Sequence, residues 1–154
     1  MKKYIAIFLI NLSCIFLLGA CGKKDDTLEL FRQEVDDFCL QISEIDSSIN
    51  SIDAQAENAK SELLYNLDEL SDTFNDFADL DFPEEFDYLE SLADEAGTYM
   101  TEAVESYHEA YGEEYDPSIA ALAKENYARA YKRIQIIITF LHGEEPEDVN
   151  LTME

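Results

Sequence analysis

Glu105 and His108 have a spacing that is typical of a helical metal site. A Glu-x-x-His motif places both side chains on one face of a helix, and di-iron bundles combine two such motifs. The other histidine, His142, has Thr139 at the position of the glutamate, so the second motif is missing. We therefore predict no metal site of this kind and expect His108 to be a polar residue at or near the surface.

A second group of possible metal ligands is an acidic segment between residues 76 and 87. Calcium loops take their oxygen ligands from an Asp-x-Asp-x-Asp-Gly pattern, which this segment lacks. We expect a solvated acidic turn, with weak, shared binding of divalent cations as the alternative. The carboxylates concerned are Asp76, Asp79, Asp81, Glu84, Glu85 and Asp87.

Catalytic patterns are scarce as well. The two histidines lie near predicted helix ends and supply no Ser-His-Asp arrangement, and the five glycines form no phosphate-binding loop. A carboxylate pair for glycoside chemistry needs a cleft that separates the two pKa values, and a slim bundle offers no obvious cleft. The sequence predicts neither an enzyme nor a bound cofactor.

Two groups of side chains could instead bind a partner. Tyr107, Tyr111 and Tyr115 repeat every four residues, and such rows can bind sugars or peptides, although rings packed at the edge of a core are commoner. Four bases follow on the last predicted helix, where we expect them to hold it against acidic neighbours. Together with Tyr107 and Tyr111 they form the candidate interaction surface. The bases are Lys124, Arg129, Lys132 and Arg133.

The charge of the chain excludes one class of partner. The 154 residues include 35 acidic and 10 basic side chains, a net charge of −25, and residues 33–123 have 26 acids against one base, Lys60. Nucleic-acid binders need clustered Lys and Arg, so we exclude nucleic acid as a partner. With 47% hydrophobic and 12% aromatic residues, the chain is too apolar to lack a core.

The first 20 residues have the layout of a secretory signal. The chain begins Met-Lys-Lys, residues 4–18 are almost wholly apolar, and Gly19 and Ala20 are small. A membrane-spanning helix needs about 20 apolar residues, so this run is short for a span.

Leu18-Gly19-Ala20-Cys21 resembles the lipobox of bacterial lipoproteins. The resemblance implies that residues 1–20 are removed as a signal peptide and that Cys21 receives a diacylglycerol, with acyl chains such as palmitate, through a thioether. Two acyl chains suffice for stable anchoring. The protein would then lie on the extracytoplasmic face of the cell membrane, with residues 21–27 as lipidated N-terminus and linker. An uncleaved N-terminal anchor is the alternative.

Lipidation would leave Cys39 as the one thiol of the mature chain, because Cys14 is removed with the signal. Exported proteins usually use cysteines in pairs, so a single one is either a buried apolar side chain or the site of an intermolecular disulfide. We expect Cys39 to be buried.

Apolar residues recur with a helical period along most of the chain. From Leu28 to Leu63, alternate steps of three and four residues meet only apolar side chains, and after a stutter the stripe resumes at Leu67 and reaches Phe77. Pro83, followed by two acids, predicts the start of a helix that ends at Gly112. Asp116-Pro117 predicts a capped helix that ends at Gly143.

The first stripe is long enough for one helix or two. Serine, asparagine and aspartate crowd residues 47–53 and favour a break there. The fold class predicted is all-α, an antiparallel up-down bundle of four helices over residues 28–142, followed by a disordered acidic tail over 143–154. The alternative is three helices, the first continuous and paired with a second molecule as a coiled coil. The four segments are expected near 28–50, 54–78, 83–111 and 117–142.

These observations predict a membrane-anchored lipoprotein of the cell surface that acts as an interaction or structural module. Its partners would be the membrane, through the lipid, and an envelope protein or cell-wall component. The alternative is an extracytoplasmic binding module for a small ligand or divalent cations. In layout and character the body resembles the small acidic helical lipoproteins of single-membrane bacteria, a resemblance without a diagnostic motif.

Overall fold

The structure, a computed structural model, describes residues 26–144. The predicted signal peptide, the lipidated Cys21 and the predicted tail beyond residue 144 lie outside the described residues. Within residues 26–144 the fold is all-α, as predicted, with four helices, one short 3₁₀ turn and no strand. The elements are α1 (Asp26–Ser51), α2 (Ala59–Ala78), the 3₁₀ turn (Asp87–Leu89), α3 (Glu90–Ala110) and α4 (Pro117–Leu141).

The predicted break in the first stripe is confirmed, and the alternative of one continuous first helix is wrong. Polar side chains compete for the last carbonyl groups of α1: Ser48 Oγ donates to the Glu44 carbonyl at 3.0 Å, and Asn50 Nδ2 donates to the Asp46 carbonyl at 2.8 Å. Such side-chain bonds favour helix ends and turns. After Ser51 the chain turns through residues 52–58 before α2 begins.

The predicted start of the third helix at Pro83 is wrong. Phe86 N donates to the Pro83 carbonyl at 2.7 Å and Leu89 N to the Phe86 carbonyl at 2.9 Å, so two tight turns occupy this segment and α3 begins at Glu90. The physical reason is aromatic packing, because Phe82 and Phe86 lie against Phe31 of α1 with ring centroids 4.9 and 6.1 Å away. Their burial outweighs the helix-starting preference of Pro83 and the acids that follow.

The predicted start of α4 is confirmed in detail. Asp116 is the N-cap, and its Oδ1 accepts hydrogen bonds from Ser118 N at 2.8 Å and Ile119 N at 3.2 Å. Pro117 occupies the first turn, where its missing N–H costs nothing. At the other end Gly143 has φ +74°, the left-handed conformation expected of a glycine just after a helix.

The helices run antiparallel and pack in chain order, with the most extensive packing between α3 and α4. Phe31 at the start of α1 contacts Phe82 beyond the end of α2, and Lys60 at the start of α2 donates from Nζ to the Gly112 carbonyl at 2.8 Å. The connections 52–58 and 111–116 therefore lie at one end of the bundle, and the 79–89 connection lies at the other.

The predicted stripes form the core. Every position of the first stripe from Leu28 to Phe77 is buried or half-buried, and α4 adds further buried apolar residues between Ala123 and Leu141. Phe38 stacks on Phe77 with ring centroids 4.1 Å apart and meets Phe74 edge-on at 5.6 Å. Burial of a large apolar side chain stabilises the fold by roughly 1.5 to 3 kcal/mol, so this aromatic packing joins α1 firmly to α2.

Candidate interaction site

A half-buried carboxylate joins the first and last helices. Asp46 on α1 accepts hydrogen bonds at Oδ1 from the hydroxyl groups of Tyr131, at 3.0 Å, and Tyr127, at 3.2 Å, both on α4. The two tyrosine rings are stacked, with centroids 4.7 Å apart. The backbones of α1 and α4 do not pack closely, so these long side chains span the space between the two helices.

The surroundings of this carboxylate change its acidity. Burial raises the pKa of Asp46, and the hydrogen bonds from Tyr131 and Tyr127 oppose that rise without cancelling it. Burial, followed by the charges of Tyr127 and Asp46, also raises the pKa of Tyr131 far above its usual range. At neutral pH both tyrosines are therefore hydrogen-bond donors to Asp46.

Five tyrosines extend from Asp46 to the surface, and we call them the tyrosine column. Tyr131 and Tyr127 lie inside, and Tyr107 of α3 is near enough to Tyr127 to contribute to the rise of its pKa. Towards the surface, the Tyr107 and Tyr111 ring centroids are 6.5 Å apart and those of Tyr111 and Tyr115 are 5.3 Å apart. Tyr115 is 50% exposed, so the column ends in solvent at the 111–116 connection.

The two parts of the predicted tyrosine row differ in environment. Burial raises the pKa of Tyr107 to about 12, with contributions from Tyr111 and Tyr115, and burial also raises the pKa of Tyr111. Tyr107 and Tyr111 are both half-buried, and Tyr107 packs against the hydrophobic core. The row expected at the edge of the core thus passes from core to surface, and its outer end is the part that a partner could reach.

Two of the four predicted bases on α4 face α3. The Arg133 guanidinium lies over the Tyr99 ring, 4.7 Å from its centroid, and Nε donates to Glu95 Oε2 at 2.9 Å. Arg129 lies 5.6 Å from the same ring and pairs with Glu125 Oε1 at 2.7 Å. The Arg133 side chain is only 17% exposed, so this residue serves helix packing, as its acidic surroundings led us to expect.

The other two bases, Lys124 and Lys132, are exposed. The structure thus divides the predicted basic surface of α4: two arginines lie near the ring of Tyr99 on α3, and two lysines are exposed. Tyr99 and Glu95 were missed in the sequence because neither belongs to an unusual spacing.

His108 lies on the side of α3 that faces α2. Its Nε2 is 2.7 Å from Asp68 Oδ1, and both side chains are about half exposed, 46% and 53%. Among residues 26–144, no group of three or more histidine, cysteine or acidic side chains is arranged to bind a metal ion. Glu105 is exposed and is not part of the His108–Asp68 pair.

The acidic segment 76–87, which begins in the last turn of α2, is solvated. All six of its carboxylates are exposed. Beside it, an open depression of about 450 Å³ is lined by Thr27, Leu28, Pro83, Glu84 and Glu85. It lies at the end of the bundle where α1 begins.

Buried polar groups elsewhere are satisfied within the bundle. Cys39 is 4% exposed and lies in the core, as expected from its isolation. Between α2 and α3, Asn75 Nδ2 donates to Thr101 Oγ1 at 3.1 Å, and Ser71 Oγ is 3.3 Å from the same oxygen. In residues 26–144 every buried side-chain nitrogen and oxygen has a hydrogen-bond partner.

Comparisons of this chain with protein-family models, with curated proteins and with solved structures give no significant match. None of the helices described between residues 26 and 144 is both long enough and apolar enough to cross a bilayer.

Proposed function

We propose that this chain is a bacterial cell-surface lipoprotein, anchored through Cys21, that acts as an interaction or structural module without catalysis. The observation on which the proposal rests is the order of the first 21 residues: a basic start, a short apolar run and Leu18-Gly19-Ala20-Cys21. Two acyl chains, at roughly 0.8 kcal/mol per buried methylene group, are enough for stable anchoring.

The way in which the bundle uses its polar groups supports an interaction role. Asp46 binds tyrosine hydroxyls, Arg133 binds Glu95, and His108 pairs with Asp68, so each of these groups joins one helix to another. The acidic residues of the described chain are otherwise mostly exposed. What the protein presents to its surroundings is an anionic surface on a solid helical body.

The position of the anchor would orient that body. Residue 26 is at the end of the bundle that includes the 79–89 connection, as the contact between Phe31 and Phe82 shows. A lipid on Cys21 would hold this end nearest the membrane. The 52–58 and 111–116 connections, with the outer end of the tyrosine column, would face away from it.

Lipidation of Cys21 tests the proposal directly. In cells fed a traceable palmitate analogue, the wild-type protein should be labelled and sediment with membranes. Cys21→Ala should lose the label, because the thioether has no sulfur to form on. Cys39→Ala is the matched control and should keep the label, since that thiol lies in the core. An unlabelled wild-type chain with an intact N-terminus would overturn the proposal.

The interaction role is tested by crosslinking in intact cells, followed by purification of the lipidated protein under denaturing conditions. We expect one or a few envelope components to be recovered with the wild-type chain and not with Cys21→Ala, because the anchor sets where the bundle is available. Recovery of the same components at the same yield without the anchor would show that tethering is not part of the function.

One observation favours the alternative of a small-ligand or cation-binding module. The open depression beside Glu84 and Glu85 has a volume of about 450 Å³, within the range of roughly 300–1,000 Å³ common for ligand sites. If cations bind there, millimolar calcium should raise the melting temperature in about 0.15 M salt, and Glu84→Gln/Glu85→Gln should abolish the rise. A rise that persists in this variant would assign the effect to general screening.

A further inference from the structure

The outer end of the tyrosine column is an aromatic surface at one end of the bundle. The Tyr111 and Tyr115 ring centroids are 5.3 Å apart, Tyr111 is half-buried and Tyr115 is 50% exposed. Tyr107 supports Tyr111 from behind, at 6.5 Å. The rings therefore form a row that runs from the edge of the core into solvent.

Two carboxylates belong to the same connection as these rings. Glu113 and Glu114 lie between Tyr111 and Tyr115 in the 111–116 connection, and both are exposed. The Lys60 amine donates to the Gly112 carbonyl at 2.8 Å, which fixes the connection against the start of α2. Aromatic faces next to carboxylates form a surface that attracts cations through both the ring quadrupole and the negative charge.

The same chain shows how such a combination holds a guanidinium. On α3, Tyr99 and Glu95 together bind Arg133, with the guanidinium carbon 4.7 Å from the ring centroid and an Nε–Oε2 distance of 2.9 Å. Arginine suits this arrangement better than lysine because its planar group stacks on a ring while its N–H groups reach a carboxylate. The 111–116 connection offers the same types of side chain towards solvent.

We propose that Tyr111, Tyr115, Glu113 and Glu114 form a docking surface for an arginine-bearing, cationic segment of a partner protein. The net charge of −25 selects a cationic partner and steers its approach. The proposal deepens the interaction role proposed above and rests on it, since it names the surface and the chemistry of the partner.

Binding of short defined peptides to the full chain in nonionic detergent micelles tests the docking surface. The probes are a peptide of alternating glycine and arginine and its lysine counterpart, compared at about 0.15 M salt to screen diffuse attraction. We expect the arginine peptide to bind several-fold more tightly. Tyr111→Leu/Tyr115→Leu should weaken its binding about tenfold by removing two cation–π contacts while leaving the charge unchanged.

Control variants at the opposite end separate this surface from general acidity. Tyr88 is 54% exposed and packs on Phe140, so Tyr88→Leu should leave arginine-peptide binding unchanged. Glu113→Gln/Glu114→Gln should weaken binding more than Glu84→Gln/Glu85→Gln, which removes the same charge within the acidic segment at the other end. Because Tyr111 is half-buried, Tyr115→Leu alone gives the same test with less risk to the fold.

Three results would overturn the proposal. Equal loss of binding in the Tyr88 variant would show that the peptide binds the acidic surface at large. No loss in either the Tyr115 variant or the double variant would show that the rings take no part. A change of sedimentation coefficient in Tyr115→Leu alone would show that a second copy covers this surface. If one of these results is obtained and Cys21 is lipidated, the docking surface is wrong and the proposed lipid anchor is unaffected. If binding depends on the tyrosines and Cys21 carries no lipid, the proposed anchor is wrong and the docking surface is unaffected.

Discussion

At the scale of single residues, Asp46 is the side chain with the clearest conflict between charge and burial. Its carboxylate accepts two tyrosine hydroxyls, yet burial still raises its pKa. Asp46 lies four residues after Ile42 and three before Ile49, at the edge of the apolar stripe. Among so many acids, a carboxylate at the edge of a stripe did not stand out, and the partners on α4 are distant in sequence.

The direction of this pKa shift fixes the effect of pH. Because the folded-state pKa of Asp46 is raised, its contribution to stability is fully present below its unfolded pKa of about 3.9 and is lost as the pH rises through the folded value. Asp46→Asn removes the ionisable group and keeps an acceptor for the tyrosine hydroxyls. We therefore expect this variant to gain stability relative to wild type as the pH rises from about 4 to 7.

Urea unfolding over that pH range measures the effect, with Asp36→Asn as control. Asp36 is exposed on the same helix and its replacement removes the same charge without touching a tyrosine. Asp46→Ala should be less stable than Asp46→Asn by about 1–3 kcal/mol, because two hydroxyl donors lose their acceptor. If the free energy of unfolding of the wild type instead rises relative to that of Asp46→Asn as the pH increases, the raised pKa of Asp46 is contradicted.

The tyrosine column predicts a delayed alkaline titration. Burial raises the pKa of Tyr107 to about 12 and those of Tyr127 and Tyr131 further. Both folded and unfolded chains keep these phenols protonated below about pH 10. Their contribution to stability is therefore full below that pH and is lost as the pH rises through their pKa values in the folded state. Unfolding followed by circular dichroism should set in above about pH 10.

Tyrosinate absorbance recorded in the same samples shows whether ionisation and unfolding are linked. We expect one part of the absorbance to rise before the helical signal falls and the rest to rise with it. Tyr131→Phe should reduce the second part, since its phenol is 1% exposed. Complete ionisation of the wild type with the helical signal intact would contradict the burial of the column.

At the scale of helices, the sequence predicted the apolar faces and failed at one boundary. The stripes, the break after α1 and the capped start of α4 depend on local patterns, and the structure confirms all three. The start of α3 depends on where Phe82 and Phe86 pack, and their neighbour Phe31 is some fifty residues away in sequence. Local signals such as Pro83 cannot report that contact, which is why the predicted boundary was wrong.

The packing of α3 against α2 depends on a glycine. A Cβ added at Gly97 would lie 2.9 Å from Asn75 Oδ1, while its other neighbours are at ordinary contact distances of 3.5 and 3.6 Å. Asn75 cannot move freely, because its Nδ2 binds Thr101 Oγ1 and the Ser71 carbonyl. Alanine in place of glycine favours a helix by about 1 kcal/mol, so two opposing effects meet at this position.

A double-mutant cycle separates these effects. In an Asn75→Ala background the clash is absent, and Gly97→Ala should stabilise the protein by about 1 kcal/mol through helix propensity. In the wild-type background Gly97→Ala should stabilise the protein much less or destabilise it. The expected coupling energy between Gly97 and Asn75 is about 0.5–3 kcal/mol. Unfolding free energies of the four proteins measure it. Additive effects of the two substitutions would show that the Asn75 side chain can move away from the added Cβ without loss of stability.

At the scale of the whole molecule, the dominant feature is repulsion between like charges. The chain has 35 acids and 10 bases, so most carboxylates have no base to pair with, even though Arg129 pairs with Glu125 and Arg133 with Glu95. Exposed pairs contribute about 0–1 kcal/mol each, whereas a large net charge destabilises the compact state throughout. We therefore expect repulsion to outweigh attraction in the response to salt.

Raising sodium chloride from about 0.01 to 0.1 M shortens the screening length from about 30 to 10 Å, so the melting temperature should rise by a few degrees. The acidic turn supplies the matched test, because its carboxylates are exposed. Asp79→Asn/Asp81→Asn removes two negative charges without changing the core. This variant should have a higher melting temperature than the wild type at low salt, and its melting temperature should rise less when salt is added. A wild-type melting temperature that falls with salt would mean that the Arg133–Glu95 and Arg129–Glu125 pairs stabilise the bundle more than its excess of carboxylates destabilises it.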